Sequence, residues 1–258
     1  MSNSYFRFRQ FTVNQDLCGM KVGTDGTLLG AWAAVPDANA PGTVADATRR
    51  VPTARLIRIL DIGTGTGLIA LMMAQRFPGA TVVGVDIDDS AVSQARDNAA
   101  QSPFAARVTI LQCDIRLVTC AATEPQPSDD ILQARAFDAI VCNPPYYVDS
   151  LVCPDRQRTL ARHCSTLGYR ELMGCASRLL ADNGELSVVI PFECKDGLEG
   201  EATLAGLSKV RECAVKTTVH KPPRRYMLAF RRHPAQIERT ELVIGSEKYN
   251  ELTKDFYL

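Results

Sequence analysis

The chain alternates short apolar runs, rich in β-branched residues, with longer segments in which apolar residues recur at helical spacing. Between Arg58 and Tyr146 the runs RILDI, ATVVGVDI, RVTILQCDI and FDAIVC are typical of strands, and LIALMMAQRF and SAVSQARDNAAQ, between them, are typical of helices. This alternation predicts βαβ units and a parallel sheet. The strands are almost wholly apolar, as expected when helices cover both faces of the sheet.

The second half of the chain continues this pattern and then departs from it. We predict a helix over Tyr169–Ala181, ended by the turn residues Asp182-Asn183-Gly184, then a fifth parallel strand in ELSVVIPF and a helix near Leu198–Leu207. The runs VRECAVKTTVH and RYMLAFRR are separated by only four residues, so they can pair only as antiparallel neighbours. The predicted class is α/β and Rossmann-like, with a mostly parallel seven-stranded sheet that ends in an antiparallel hairpin and has helices on both faces.

Composition narrows the class of protein further. The chain has 258 residues, of which 46% are hydrophobic, which is enough for a substantial core and too many for a disordered protein. Lys plus Arg and Asp plus Glu both number 29, so any surface that binds nucleic acid has to be local. No run long enough for a signal peptide or a membrane span is present, and we expect a cytoplasmic protein. Nine cysteines without a C-x-x-C pair predict neither a metal site nor a disulfide framework.

A glycine-rich loop between the first of these strands and its helix is the strongest candidate for a cofactor site. It has the sequence LDIGTGTG over residues 60–67. Glycines at alternate positions permit a tight turn and leave no Cβ to hold a ligand away from the backbone, and the following helix favours an anion at its N-terminus. The dinucleotide fingerprint needs a third glycine at position 68, where this chain has Leu68. A plain strand–turn–helix loop is the alternative.

The spacing of these glycines, with Asp61 two residues before the first, resembles motif I of S-adenosylmethionine enzymes. The resemblance implies that the loop wraps the methionine end of the cofactor and that Asp61 reaches its ammonium group through water. Asp86 ends the next strand, where the fold rule places a carboxylate on ribose hydroxyls, and the resemblance assigns Asp114 to the cofactor's adenine. Helix capping explains any one of these aspartates, but less well all three. The candidate cofactor residues here are Asp61, Gly63, Thr64, Gly65, Gly67, Asp86, Ile87, Asp114, Ile115 and Asn143.

The tetrapeptide Asn143-Pro144-Pro145-Tyr146 follows the fourth strand and therefore lies beside the same crevice. An adenine or amide nitrogen is a poor nucleophile because its lone pair is delocalised, so methyl transfer needs that nitrogen held in line. The Asn143 side-chain oxygen and the Pro144 carbonyl can accept its two N–H groups, and Tyr146 offers a face on which an extruded base can stack. We predict methylation of a planar NH2 group with Asn143, Pro144 and Tyr146 as catalytic residues. The alternative is that the tetrapeptide only forms a turn.

Four segments together resemble the tRNA1(Val) adenine N6-methyltransferase family, a branch of the class I methyltransferases. They are residues 6–33, 60–76, 142–173 and 252–258. The resemblance implies S-adenosylmethionine as cofactor and methylation of N6 of adenine 37, on the 3′ side of the anticodon of tRNA1(Val). We expect no membrane association and infer no obligate protein partner. It also implies one methyltransferase domain over 1–258, in which 1–54 contributes to the cofactor pocket and 55–258 forms the core. The lining residues expected from the N-terminal segment are Lys21, Val22, Thr24, Asp25 and Gly26.

Two basic clusters are candidates for contacts with tRNA. Between Lys209 and Arg239 the chain has nine Lys or Arg against two Asp or Glu, and a second cluster follows the N-P-P-Y tetrapeptide. Such clusters contact phosphates; the alternative for the first cluster is a charged edge hairpin that only prevents aggregation. The candidate RNA-binding residues are Arg156, Arg158, Arg162, His163, Lys221, Arg224 and Arg225.

Other functions stay open at this stage. The N-P-P-Y tetrapeptide also occurs in enzymes that methylate N5 of a glutamine in translation release factors, and it is compatible with another RNA substrate. A non-catalytic RNA-binding or scaffold protein is disfavoured because Asn143, Tyr146 and Asp86 are all present. A nicotinamide dehydrogenase is disfavoured by Leu68 and by the absence of an obvious hydride-transfer acid.

Overall fold

The computed structural model describes residues 3–19, 21–36, 56–118, 131–145 and 167–257. The strands are β1 (Tyr5–Arg7), β2 (Thr12–Asn14), β3 (Ile57–Ile62), β4 (Ala80–Asp86), β5 (Val108–Gln112), β6 (Phe137–Cys142), β7 (Leu180–Pro191), β8 (Ser208–Lys216), β9 (Arg225–Arg231) and β10 (Glu238–Val243). The helices are α1 (Thr24–Trp32), α2 (Leu68–Arg76), α3 (Asp89–Ala100), α4 (Tyr169–Leu179), α5 (Lys195–Leu204) and α6 (Glu247–Thr253). In the described part of the chain, no helix has the length and apolar character to cross a membrane.

The central sheet has the strand order β10-β8-β9-β7-β6-β3-β4-β5. Strands β5, β4, β3, β6 and β7 are parallel to one another, and β9 lies antiparallel between β7 and β8. This topology confirms the Rossmann-like α/β class and the antiparallel hairpin. The sheet does not end there, however, because β10 pairs in parallel with β8 and makes an eighth strand. The sequence gives little sign of β10, since Leu242 is its only fully buried residue.

The predicted turn at Asp182-Asn183-Gly184 lies inside a strand instead of ending a helix. Strand β7 begins at Leu180, directly after α4. Phe137 of β6 pairs with Leu180 but Ala139 pairs with Glu185, so β7 accommodates three extra residues in a bulge. A Cβ on Gly184 would lie 2.8 Å from the Phe137 carbonyl oxygen, and this close approach explains why glycine stands there.

Two hydrophobic clusters cover the two faces of the sheet. One contains the N-terminal aromatic residues Phe8 and Phe11 together with the buried sides of α1, α2 and α3. The other is formed chiefly by α4 and α5 against β6, β7 and β9. The N-terminal segment is also tied to α3, because Asn98 accepts the Asn14 N–H at 2.9 Å and donates to the carbonyls of Asn14 and Thr66. These contacts hold the N-terminal segment over the carboxyl ends of β3 and β4.

Candidate active site

A cavity of about 510 Å³ lies at the carboxyl ends of the parallel strands. Its wall combines the N-terminal segment, the loop after β3, the ends of β4, β5 and β6, and the first residue of β9. Small-molecule sites usually enclose about 300–1,000 Å³, and open α/β sheets bind their ligands at this edge. The cavity is therefore the candidate active site.

The glycine loop is fixed by its backbone. Gly63, Gly65 and Gly67 have φ angles of +70°, +55° and +82°, in the region that favours glycine. The N–H groups of Gly63 and Thr64 both donate to the Val85 carbonyl oxygen at 2.9 Å, which attaches the loop to β4. Gly67 faces α3, where a Cβ would lie 3.3 Å from the Cβ of Ala95, and it is absent from the cavity wall. The first part of the loop thus presents backbone to the cavity, and its end packs against the next helix.

Asp86 holds the glycine loop and the start of the next turn at the same time. Its Oδ2 accepts the Gly65 N–H at 2.9 Å, and its Oδ1 accepts the Asp88 N–H at 3.1 Å. The side chain lines the cavity. Since each carboxylate oxygen has two acceptor positions, Asp86 still has capacity for hydroxyl donors of a bound ligand.

Asp61 lies beneath the glycine loop, fully buried, and does not line the cavity. Its Oδ2 accepts the Thr64 hydroxyl at 2.7 Å and the Ala70 N–H at 3.1 Å, whereas its Oδ1 has no hydrogen-bond partner in the described part of the chain. The pKa of Asp61 is raised from 3.8 to about 7, chiefly because the carboxyl is buried; the two hydrogen bonds oppose this shift, and the negative charge of Asp86 contributes a small further increase. A buried acceptor without a donor is costly, and an ammonium group above the loop would relieve that cost, directly or through water.

Asp114 is held ionised by a residue that the sequence did not single out. The Arg116 guanidinium donates to both of its oxygens, from Nε to Oδ1 at 2.8 Å and from Nη2 to Oδ2 at 2.7 Å. These hydrogen bonds are the main reason that the pKa of Asp114 is lowered. Both residues line the cavity, with Ile115 between them. An arginine two residues after a strand-end aspartate matches no familiar spacing, which explains why it was missed.

The residues after β6 meet the glycine loop at neighbouring positions of the sheet. Cys142 pairs with Ile62, the residue before Gly63, so Asn143 follows β6 where the loop leaves β3. Asn143, Pro144 and Pro145 line the cavity. Predicted residues that lie outside the described part of the chain are Tyr146, Arg156, Arg158, Arg162 and His163.

Arg225 lies in the cavity wall and not on the outer surface of the hairpin. Its Nε forms an ion pair with the Asp25 carboxylate on α1. Strand β9 runs antiparallel to β7, so its first residue is at the same sheet edge as the ends of the parallel strands. The Asp25–Arg225 pair thus connects the N-terminal segment to the core across the cavity.

Most of the basic charge near the hairpin is neutralised within the protein. Six of the nine cations form ion pairs, namely Lys209, Arg211, Lys216, Arg225, Arg231 and Arg232. The central partner is Glu185, which is fully buried between Arg211 at 2.5 Å and Arg231 at 2.7 Å. Lys221 and Arg224 are exposed, and neither has an ion pair among the described residues. They are the hairpin cations that remain available to a partner.

Comparison with known proteins identifies the family. A family of methyltransferase domains matches residues 54–215. A relative from Parabacteroides distasonis is 41% identical over 265 aligned positions, and one from Phocaeicola vulgatus is 43% identical over 264; each alignment covers 100% of this chain and 99% of the relative. Both relatives bear the name tRNA1(Val) (adenine(37)-N6)-methyltransferase. The chain belongs to this methyltransferase family.

A solved structure shows the same fold at much lower sequence identity. The protein, from Agrobacterium tumefaciens and described as a predicted O-methyltransferase, is 19% identical, with a TM-score of 0.60 over 90% of this chain and 96% of that one. Identity at this level is informative about the fold alone.

The structure brings most of the predicted site residues together in this methyltransferase. Those in the cavity wall are Lys21, Val22, Thr24, Asp25, Gly26, Gly63, Thr64, Gly65, Asp86, Ile87, Asp114, Ile115, Asn143 and Pro144. Asp61 and Gly67 lie outside the wall, beneath the loop and against α3. The wall also contains residues that the sequence did not indicate for this site, Cys18, Cys113, Arg116, Leu167 and Arg225.

The raised pKa of Asp61 predicts a pH-dependent stability. The native state binds a proton up to about pH 7 and the unfolded chain only up to about pH 4, so this group's contribution to the free energy of unfolding falls as the pH rises between them. Asp61→Asn removes the titration. Denaturant unfolding should show that the free energy of unfolding decreases from about pH 5 to about pH 8. For the wild type this decrease should be about 2–3 kcal/mol larger than for the variant. An equal decrease in both proteins would show that Asp61 titrates normally.

Proposed function

We propose that this protein transfers the methyl group of S-adenosylmethionine to N6 of adenine 37 in tRNA1(Val). The observation that carries the proposal is that the glycine loop and Asn143-Pro144-Pro145 leave neighbouring strands and line one cavity. Relatives that match the whole chain bear the name of this activity. When bound, S-adenosylmethionine supplies an electrophilic methyl group on its sulfonium.

The wall of the cavity fits this cofactor from one end to the other. The backbone of the glycine loop suits the amino-acid end, and beneath the loop Asp61 has an Oδ1 that receives no hydrogen bond from the described residues and suits an ammonium group, directly or through water. Asp86 suits the ribose hydroxyls, because a carboxylate accepts two such donors. Asp114, held in place by Arg116, suits the adenine amino group, and the apolar side chain of Ile87, 47% exposed in this wall, suits the adenine ring.

Asn143 and Pro144 supply the acceptors for the amino group that is methylated. Their oxygens accept its two N–H groups and hold its nitrogen in line, and proline limits the directions in which that carbonyl can point. The nitrogen needs orientation more than it needs a strong base. Burial raises the pKa of the neighbouring Cys142 thiol well above its usual value, with further increases from Asp61 and Asp86, so this thiol stays protonated and does not act as a nucleophile.

The same proposal bears on the domain organisation of the chain and on the location of the protein in the cell. The N-terminal segment shares a hydrophobic cluster with α2 and α3, and this supports one methyltransferase domain over 1–258, with 1–54 contributing to the pocket. A tRNA substrate favours a cytoplasmic location. Limited proteolysis that released a stable 55–258 fragment able to bind the cofactor normally would argue against the single domain.

The proposed reaction is tested by its product. Purified protein is incubated with labelled S-adenosylmethionine and either tRNA1(Val) or a translation release factor. The tRNA is digested to nucleosides, which identify the methylated base, and separately to oligonucleotides, which locate it, and both digests are analysed by mass spectrometry. We expect N6-methyladenosine at position 37 of tRNA1(Val) and no label in the release factor. Label in a glutamine of the release factor, with none in tRNA, would move the assignment to the protein substrate.

Charge reversal at the hairpin turn tests the contact with tRNA. Lys221→Glu with Arg224→Glu should weaken tRNA binding at least tenfold at low salt and flatten its salt dependence, because two phosphate contacts are lost. Arg225 stays unchanged because it lies in the cavity wall. Filter binding over a range of salt concentrations measures the effect.

A control with the same charge change uses residues at the opposite edge of the sheet. Arg135 lies two residues before the start of β6, and Lys254 is next to Asp255, whose carbonyl oxygen accepts the Gln75 side-chain N–H near the end of α2. Arg135→Glu with Lys254→Glu loses only exposed ion pairs, which contribute little to stability. Equal losses of tRNA binding in the two double variants would show that net charge, and not the hairpin, determines the affinity.

A further inference from the structure

An exposed aromatic ring lies immediately beyond the cavity. Phe192 follows the last residue of β7, and its side chain is 53% exposed. It packs beside Tyr226, with ring centroids 6.0 Å apart and planes inclined at 31°, and Lys195 Nζ lies 5.3 Å from the centroid of the Tyr226 ring. The ring of Phe192 is therefore supported from within the protein while much of its surface faces solvent.

The backbone places Phe192 within one residue of the cavity wall. Its N–H donates to the Arg224 carbonyl oxygen at 3.0 Å, and Pro191 before it pairs with Arg225, which lines the cavity. Paired residues on adjacent strands are about 5 Å apart. A nucleotide chain with one base in the cavity would therefore have its next base within reach of Phe192.

The charges around this ring favour a base over a phosphate. Arg224 and Lys221, both exposed, lie on the hairpin side of Phe192, whereas the exposed Glu193 follows it in the chain. Glu193 repels a phosphate that approaches the ring, and the two cations attract phosphates beside it. An aromatic face next to cations is the arrangement that binds single-stranded nucleic acid, because every base has a face that can stack.

We propose that Phe192 is a stacking platform for a nucleotide adjacent to the target adenine, which makes it a substrate-binding residue of the RNA site. The inference rests on the proposed function. Extrusion of the target base from its stack leaves the neighbouring base with one uncovered face. Phe192 covers that face, supported by Tyr226, while Arg224 and Lys221 contact the backbone on either side.

The first test asks whether the aromatic ring of Phe192 determines KM for the RNA. Phe192→Ala should raise KM for an anticodon stem-loop RNA about tenfold or more, whereas Phe192→Tyr, which keeps the ring, should change it less than threefold. Leu204→Ala is the matched control, since Leu204 is 82% exposed at the far end of α5. The dissociation constant of S-adenosylmethionine should be the same in all four proteins. A KM for Phe192→Ala equal to that of Leu204→Ala would overturn the proposal.

The second test identifies the stacking partner and uses binding instead of activity. Stem-loop RNAs carry 2-aminopurine at the 5′ or the 3′ neighbour of the target adenine, and its fluorescence should be quenched by wild type and by Phe192→Tyr but not by Phe192→Ala. If Phe192→Ala quenched the fluorescence at both neighbours as strongly as the wild type does, the stacking role of Phe192 would be overturned and the proposed reaction would be unaffected. Quenching that depends on Phe192, with no methylation of any tRNA by wild type, would support the platform and overturn the proposed reaction.

Discussion

Replacing Asn143 with alanine should lower kcat for adenine methylation by about 10²- to 10³-fold while the dissociation constant of S-adenosylmethionine stays within about threefold of the wild-type value. Asn143 lies in the cavity wall directly after β6, next to the glycine loop. Its proposed contact is with the nitrogen that is methylated, and the loss of one preorganised hydrogen-bond partner of a reacting group typically has an effect of this size. An interaction made chiefly in the transition state lowers turnover more than binding.

Asn143→Gln is the informative companion of this variant. It keeps the amide but moves its oxygen by one methylene, so a strong decrease in kcat would show that position matters as well as chemistry. Thermal unfolding of both variants checks that the end of β6 is intact, and titration with S-adenosylmethionine checks the cofactor site. An Asn143→Ala protein that forms N6-methyladenosine in tRNA at the wild-type rate would remove Asn143 from the catalytic residues.

The parallel part of the sheet could be predicted because its central strands carry a strong signal. β3, β4 and β6 are short and apolar, and helices of regular periodicity lie between the strands. Few other sequence patterns suit a parallel strand that is buried on both faces. β10 lacks this signal, because an edge strand with one buried side chain resembles a loop. The prediction of a helix-ending turn at Asp182-Asn183-Gly184 is wrong for a related reason. Turn residues mark a change of backbone direction, and a bulge inside β7 needs the same residues as a helix end.

The site could be predicted where its residues are adjacent in sequence to a strand end. Asp86 and Asn143 follow directly from that rule, since parallel strands bring their carboxyl ends to one edge. Arg225 could not be placed in this way. Its ion pair with Asp25 joins residues 200 positions apart, so composition suggested a cation available to tRNA where the fold forms an ion pair within the protein. The same holds for Arg211 and Arg231, whose charges are neutralised by the buried Glu185.

Asp86→Ala should weaken the binding of S-adenosylmethionine by about a hundredfold or more and also destabilise the protein slightly. Loss of the proposed contacts with the ribose hydroxyls explains the decrease in affinity, because a hydrogen bond to a charged acceptor contributes about 1.5–3 kcal/mol. Loss of the acceptor for the Gly65 and Asp88 N–H groups explains the decrease in stability. Isothermal titration calorimetry measures the first effect and denaturant unfolding the second.

The two effects of Asp86 can be separated with a second strand aspartate. Asp138 lies near the opposite end of β6, and its Oδ2 accepts the Arg58 N–H at 2.9 Å. Asp138→Ala should therefore destabilise the protein to a similar degree without changing the affinity for S-adenosylmethionine, because its carboxylate is remote from the cavity wall. Asp86→Asn keeps one acceptor oxygen for the loop but loses the charge, so it should recover stability more than affinity. If Asp138→Ala weakened cofactor binding as much as Asp86→Ala, general loss of stability would explain both variants, and the ribose contact assigned to Asp86 would be wrong.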